Sequence, residues 1–157
     1  MKIIMNDEVF AQKGFTISTD KRLIDFETVY NYLNNDSYWA QGIPRERMKR
    51  AIDNSICFGI YHNGKQAGFT RVVTDMATFG YICDVFILPE YRRLGLSKWL
   101  MQTIIQYPEF QGLRRWSLAT LDAHGLYEQF GFTGLSKPQN WMEIFTPYLK
   151  PSQGGEK

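Results

Sequence analysis

The sequence predicts an α/β chain built on a mixed, mostly antiparallel twisted sheet flanked by helices. Three observations lead there. Residues 55–61 and 66–73 are apolar, β-rich runs joined by His62-Asn63-Gly64-Lys65, and Asn-Gly is the strongest short hairpin signal. Residues 79–88 follow a short turn at 75–78 and read as a third antiparallel strand. Residues 84–119 then run strand, turn, helix, strand, an order that favours a parallel, right-handed crossover. The strand before the turn should therefore lie beside the strand of Trp116 and Leu118.

At 157 residues and 18.3 kDa the chain is most simply one domain spanning residues 1–157, long enough for a sizeable core. A net charge of +2 is too small to argue for nucleic acid. Arg45, Arg47, Lys49 and Arg50 crowd one segment, which reads as a solvated helix face. Cys57 and Cys83 are isolated and sit in apolar strands, so they suggest buried thiols in a reducing cytoplasm and no metal site. No apolar run approaches the roughly 20 residues of a membrane span, and the N-terminus lacks a secretory apolar core. A cytoplasmic location is the expectation.

Taken in order, residues 1–14 are weakly patterned and expected to form a loose lead-in. Residues 15–18 alternate and make a first strand. Asp20 or Asp25 is placed to cap a helix running to about Leu33, with Phe26, Val29, Tyr30 and Leu33 on one face. Tyr38 and Trp39 then fall in a loop, where they either contact a ligand or plug the edge of the core. Pro44 suits the first turn of a second helix, to about Asn54, with Met48, Ala51 and Ile52 inward. His62, at the hairpin turn, is expected to be solvated.

The informative stretch is 84–103, DVFILPEYRRLGLSKWLMQT. Pro89 stops the strand because it cannot donate to a ladder. From Leu96 onward, Leu96, Trp99, Leu100, Thr103 and Ile104 recur at helical spacing, so a helix starts around Gly95. A helix N-terminus offers unpartnered amides and a partial positive charge, and a glycine there admits close approach by a ligand. Strand, basic turn and helix together suit a pyrophosphate. Residues 113–119 return as a strand, and residues 122–130 form a short helix ended by Gly131. Residues 141–145 suggest a last strand, and residues 151–157 a polar tail.

Arg92-Arg93-Leu94-Gly95-Leu96-Ser97 resembles the acyl-CoA signature of the GNAT superfamily of N-acyltransferases, (Gln/Arg)-x-x-Gly-x-(Gly/Ala), with Ser97 in the last position. Ala123, Leu126, Tyr127, Gly131 and Phe132 match that family's second signature, Ala-x-x-Leu-Tyr-x-x-x-Gly-Phe, at the expected distance. Two ordered motifs are far more specific than either alone. Thr120 stands where many members have Asn.

The resemblance implies a GNAT-like sheet with a parallel pair splayed around the CoA site, and acetyl transfer from acetyl-CoA to a primary amine by direct attack in a ternary complex. The pantetheine arm would lie along Val85, Phe86 and Ile87, with a contact from Thr120. Amides of Arg93, Leu94, Gly95, Leu96 and Ser97 would hold the pyrophosphate, with Arg92 adding charge. A backbone N–H of the Val85–Ile87 strand would stabilise the oxyanion, and Tyr127 would protonate the departing sulfur. Asp84 and His124 are candidate bases for the amine, and Tyr38, Trp39 and Asp84 candidate acceptor-side groups. A small-molecule amine is the expected acceptor. A protein N-terminus or lysine, or a catalytically silent CoA-binding module, are the alternatives. A homodimer is also open.

Overall fold

The computed structural model describes residues 7–148. Five strands form one sheet in the order β1-β2-β3-β4-β5, with β1 Phe15–Ser18, β2 Ile56–His62, β3 Lys65–Thr74, β4 Phe79–Ile87 and β5 Arg115–Leu118. The first four are antiparallel, and β5 runs parallel to β4, as the strand–helix–strand order requires. Asn63 (φ 48°) and Gly64 (φ 83°) turn the β2–β3 hairpin in the left-handed geometry that matches strand twist.

Helices cover both faces. On one side α4 Leu96–Ile105 buries Leu96, Trp99, Leu100, Met101 and Ile104 against Phe58, Ile60, Val72, Ile82 and Ile87. On the other, α2 Phe26–Asn31 and α3 Arg45–Asp53 pack Val29, Met48 and Ile52 on Cys57, Phe69 and Phe86. Asp25 caps α2 by accepting the Thr28 amide, and Asp20 caps the short 3-10 turn before it. Burial pushes the Cys57 thiol up to about 11 and the Cys83 thiol up to about 12; both cysteines are free.

One irregularity governs the rest. Between Phe69↔Phe86 and Arg71↔Cys83 the register shifts, so Thr70 alone faces Asp84 and Val85. This is a β-bulge, with Asp84 in the left-handed region at φ 57°. It also exchanges the faces of β4. Ile82 and Ile87 both pack toward α4 although they are five positions apart, an odd offset that would put them on opposite faces of a regular strand, while Phe86 faces the α2–α3 side.

Four expectations are corrected. The segment 7–12 is not loose: α1 Asp7–Gln12 buries Phe10, whose ring stacks on Trp99 at 4.4 Å, and Asp7 accepts the Trp99 indole N–H. The helix before Leu33 widens its register into a π-helical turn at Tyr32–Asp36, closed by Ser37 N–H to Tyr32 O and by the Ser37 hydroxyl on Leu33 O. His62 is half-buried, its ring 4.5 Å from that of Phe15. Residues 141–145 form no strand, because β5 carries no second ladder partner within the described residues. The predicted tail, 151–157, lies outside the described residues, as do residues 1–6 of the lead-in.

Candidate active site

The site is the gap that opens between β4 and β5. Their parallel pairing runs from Phe79↔Arg115 to Ile82↔Leu118 and stops there, at the bulge. Beyond it Phe86 and Ile87 keep their partners on the β3 side, where Phe69 and Gly68 lie opposite them. Among the described residues, the β5 side of this stretch has no strand against it. An added extended chain can therefore bond there without displacing protein.

At the end of β4 the chain turns through Pro89–Tyr91 into α4. Arg93 (φ 66°) and Gly95 (φ 85°) both adopt left-handed backbone, and Gly95 caps α4 with no side chain in the way. The first intrahelical bond here is Trp99 N–H to Gly95 O, so the amides of Leu96, Ser97 and Lys98 precede the helical ladder. Leu96 turns its side chain into the core and Ser97 is half-buried, while Arg93 and Leu94 are exposed. The composition of this cradle fits a pyrophosphate. Arg92 is used differently from the expectation: its Nε donates to Ile87 O at 3.0 Å and its terminal nitrogen to the Tyr32 hydroxyl at 3.0 Å. It pins the end of β4, and Tyr32 in turn stacks on Phe86 at 4.0 Å.

Asp84 is buried and paired. Arg71 Nε lies 2.5 Å from Asp84 Oδ2, and the same guanidinium reaches the Ser55 hydroxyl at 3.1 Å. The other oxygen, Oδ1, accepts the Trp39 indole N–H at 2.9 Å. Tyr38, edge-on to Trp39, accepts the Leu121 amide through its hydroxyl at 2.9 Å. The loop 37–42 thus reaches from the bulge in β4 to the segment after β5, across the mouth of the gap. Both aromatics remain partly exposed, 52% for Tyr38 and 37% for Trp39, as a ligand-facing role requires.

From the β5 side, α5 His124–Glu128 buries Tyr127 and leaves His124 exposed. Burial and the neighbouring Tyr38 push the Tyr127 phenol up to about 12, so it is protonated at neutral pH. Thr120 is committed locally: its hydroxyl accepts the Ala123 amide at 3.0 Å. Arg71, Ser55 and Tyr32 escaped the sequence reading. Arg71 was the findable one, a cation inside the apolar run of β3 that needs a buried partner. Among the described residues no cluster of three or more His, Cys, Asp or Glu side chains has metal-binding geometry, and no helix is long and apolar enough to cross a membrane.

The splayed parallel pair, the bulge and the glycine-capped helix invite comparison with known proteins. The model of the acetyltransferase (GNAT) family matches residues 26–132, more than half of the chain. The chain belongs to the GNAT acetyltransferase family. A crystal structure from Xanthomonas campestris assigned to the GNAT family is 48% identical, with a TM-score of 0.84, covering 87% of this chain and 96% of that one. A Gibberella zeae protein, FG08082, whose name places it among acetyltransferases, is 33% identical over 146 residues, 79% of this chain and 81% of its own length. The thialysine N-ε-acetyltransferase of Caenorhabditis elegans is 25% identical over 130 residues, 80% of this chain and 79% of its own. A Clostridium acetobutylicum acetyltransferase determined with acetyl-CoA shares the fold, with a TM-score of 0.60 at 12% identity over 83% of this chain and 94% of that one. Within this GNAT domain, both signature stretches fall on the gap: 92–97 where β4 turns into α4, and Tyr127 on its β5 side.

Proposed function

We propose that this GNAT enzyme moves the acetyl group of acetyl-CoA to the primary amine of a small molecule. The observation that carries the reading is the unpaired edge at Val85–Ile87, which leads directly into the cradle of Arg93–Ser97. The pantetheine arm would lie along that edge like a strand, and the pyrophosphate would take the amides of Arg93 to Ser97. Arg93, exposed beside the cradle, supplies the charge, since Arg92 is held by Ile87 and Tyr32.

The chemistry then needs three groups. The amine nitrogen attacks the thioester carbonyl carbon; the C–N bond forms, the C–S bond breaks, and the pair leaves on sulfur. The bulge turns the backbone of Val85 and Phe86 away from regular pairing, which makes their amides candidates to hold the oxyanion. Tyr127, protonated and buried, gives its proton to the departing sulfur. Asp84 has both oxygens engaged, so it serves as a positioning group for the Trp39 loop rather than as a base. The amine enters as the free base, and its proton leaves to solvent beside the exposed Tyr38 and Trp39.

A small acceptor is favoured because loop 37–42 bridges the mouth of the gap instead of leaving an open trough for a peptide. The activity named for the Caenorhabditis elegans relative, on the side-chain amine of an amino acid, is of the same class. The test is calorimetric titration with acetyl-CoA and with CoA, followed by a panel of amines scored by release of free thiol. Micromolar binding and turnover on small amines would support the reading. Absence of binding at millimolar acetyl-CoA would overturn it, and binding without turnover on any amine would indicate a silent CoA-binding module.

A further inference from the structure

The last residue of β4 turns its carbonyl into the gap. Leu88 N–H donates to Ala67 O at 2.8 Å and Ile87 lies opposite Gly68, so the pair 67–88 is hydrogen-bonded and its neighbour 68–87 is not. In an antiparallel ladder the two kinds of pair alternate, and the N–H and C=O of the second kind face away from the partner strand. The Ile87 carbonyl therefore faces the open side, and Arg92 Nε donates to it there at 3.0 Å.

An exposed arginine on a turn has many rotamers open to it, so this bond needs a second hold to persist. Tyr32 supplies it: the terminal nitrogen of Arg92 donates to the Tyr32 hydroxyl at 3.0 Å, across 60 positions of sequence. The Tyr32 ring lies on Phe86, with centroids 4.0 Å apart and planes 14° apart. One side chain thus governs both residues at the end of the open edge, Phe86 through its ring and Ile87 through Arg92. Local structure does not ask for this hydroxyl. Helix α2 and the π-helical turn that Tyr32 begins are closed by backbone bonds and by Ser37. A π-helical turn interrupting a helix is a feature that recurs at functional sites.

We propose that Tyr32 is a positioning residue for acyl-CoA: holding Phe86 through its ring and Ile87 through Arg92, it fixes the end of the open edge in the orientation with which the pantetheine arm pairs. The inference rests on the acetyl-CoA reading above and adds a residue that lies in neither signature stretch. The physical gain is preorganisation. A backbone edge that is rigid before the ligand arrives costs less ordering on binding. Because Arg92 takes the Ile87 carbonyl, the arm is left with the Ile87 N–H as its partner at this residue.

Calorimetric titration of the full-length chain with acetyl-CoA tests this in a double-mutant cycle of Tyr32→Phe and Arg92→Ala. Tyr32→Phe keeps the stacked ring and removes only the hydroxyl. It should raise the acetyl-CoA Kd about tenfold, the lower end for a lost hydrogen bond to a charged group, with a melting temperature close to the parent. In an Arg92→Ala background the same change should cost little more, because the hydroxyl then has nothing to hold. A loss of equal size in both backgrounds would overturn the action through Arg92. An unchanged Kd in Tyr32→Phe would overturn the positioning role. So would a tighter one, since a released Arg92 would then serve acetyl-CoA better than a held one. Absence of binding by the wild-type chain would instead overturn the acetyl-CoA reading itself, and this inference with it.

Discussion

Trp39 and Asp84, 45 positions apart in the sequence, are joined by an indole N–H to carboxylate hydrogen bond of 2.9 Å. The bond ties the loop over the mouth of the gap to the bulge that creates the gap. Because Arg71 holds the other carboxylate oxygen, loop, bulge and sheet are tied through one side chain. Removing the tie should loosen the acceptor side and leave the CoA side untouched. Trp39→Ala is expected to raise the KM for the amine about tenfold, the size of one lost charged hydrogen bond, with the acetyl-CoA Kd unchanged. An unaltered amine KM would remove Trp39 from the acceptor side.

The Arg71–Asp84 pair has side chains only 18% and 7% exposed, so neither charge can be left alone cheaply. Arg71→Met should destabilise the fold by about 3–5 kcal/mol, read as a lowered urea midpoint. Adding Asp84→Asn to Arg71→Met should restore part of that loss, since the stranded charge is then gone. A double variant no more stable than the single one would show that the buried carboxylate is not the cause.

Tyr127→Phe removes one hydroxyl and keeps the buried ring, which packs edge-on against Phe132. Turnover should fall by at least about tenfold, and typically more for a lost general acid. Acetyl-CoA binding and melting temperature should stay close to the parent. Turnover within a few-fold of the parent would take the proton-donor role away from Tyr127.

Alkaline pH probes the same burial from the stability side. The folded state raises the Tyr127 phenol from 10.0 to about 12, the Cys57 thiol from 9.0 to about 11 and the Cys83 thiol from 9.0 to about 12. A raised value means that the folded chain holds the proton after the unfolded chain has released it. The stabilisation is complete below the unfolded values and is lost as pH climbs through the folded ones. Urea midpoints should therefore decline from about pH 9 toward pH 12, and Tyr127→Phe should show a shallower decline. A midpoint flat across that window would contradict the burial of these groups.

What the amino-acid order determined by itself is whatever local chemistry decides. Asn63-Gly64 sets a hairpin because only residues that tolerate positive φ can turn two strands so tightly. Pro89 and Gly95 bracket the turn before α4, and the helical spacing from Leu96 to Ile104 marks the buried face, so the start of α4 was readable to within a residue. The strand–helix–strand order was enough to place β5 parallel to β4. Tertiary structure decided everything that rests on a contact between distant residues. That Asp84 would find Arg71 and Trp39, from β3 and from the loop before α3, at its two oxygens was not legible in the order of residues. The same holds for Arg92 and its bonds to the Ile87 carbonyl and to the Tyr32 hydroxyl, the latter far away in the chain. Residues 7–12 carry too weak a pattern to predict docking, yet Phe10 found the face of Trp99. Residues 141–145 carry a strand's composition yet join no ladder among the described residues, because pairing is a property of the assembled sheet and composition alone does not supply it. A turn or a cap is an agreement among adjacent residues, whereas a bulge, a buried ion pair or an edge is settled only when the whole sheet is assembled.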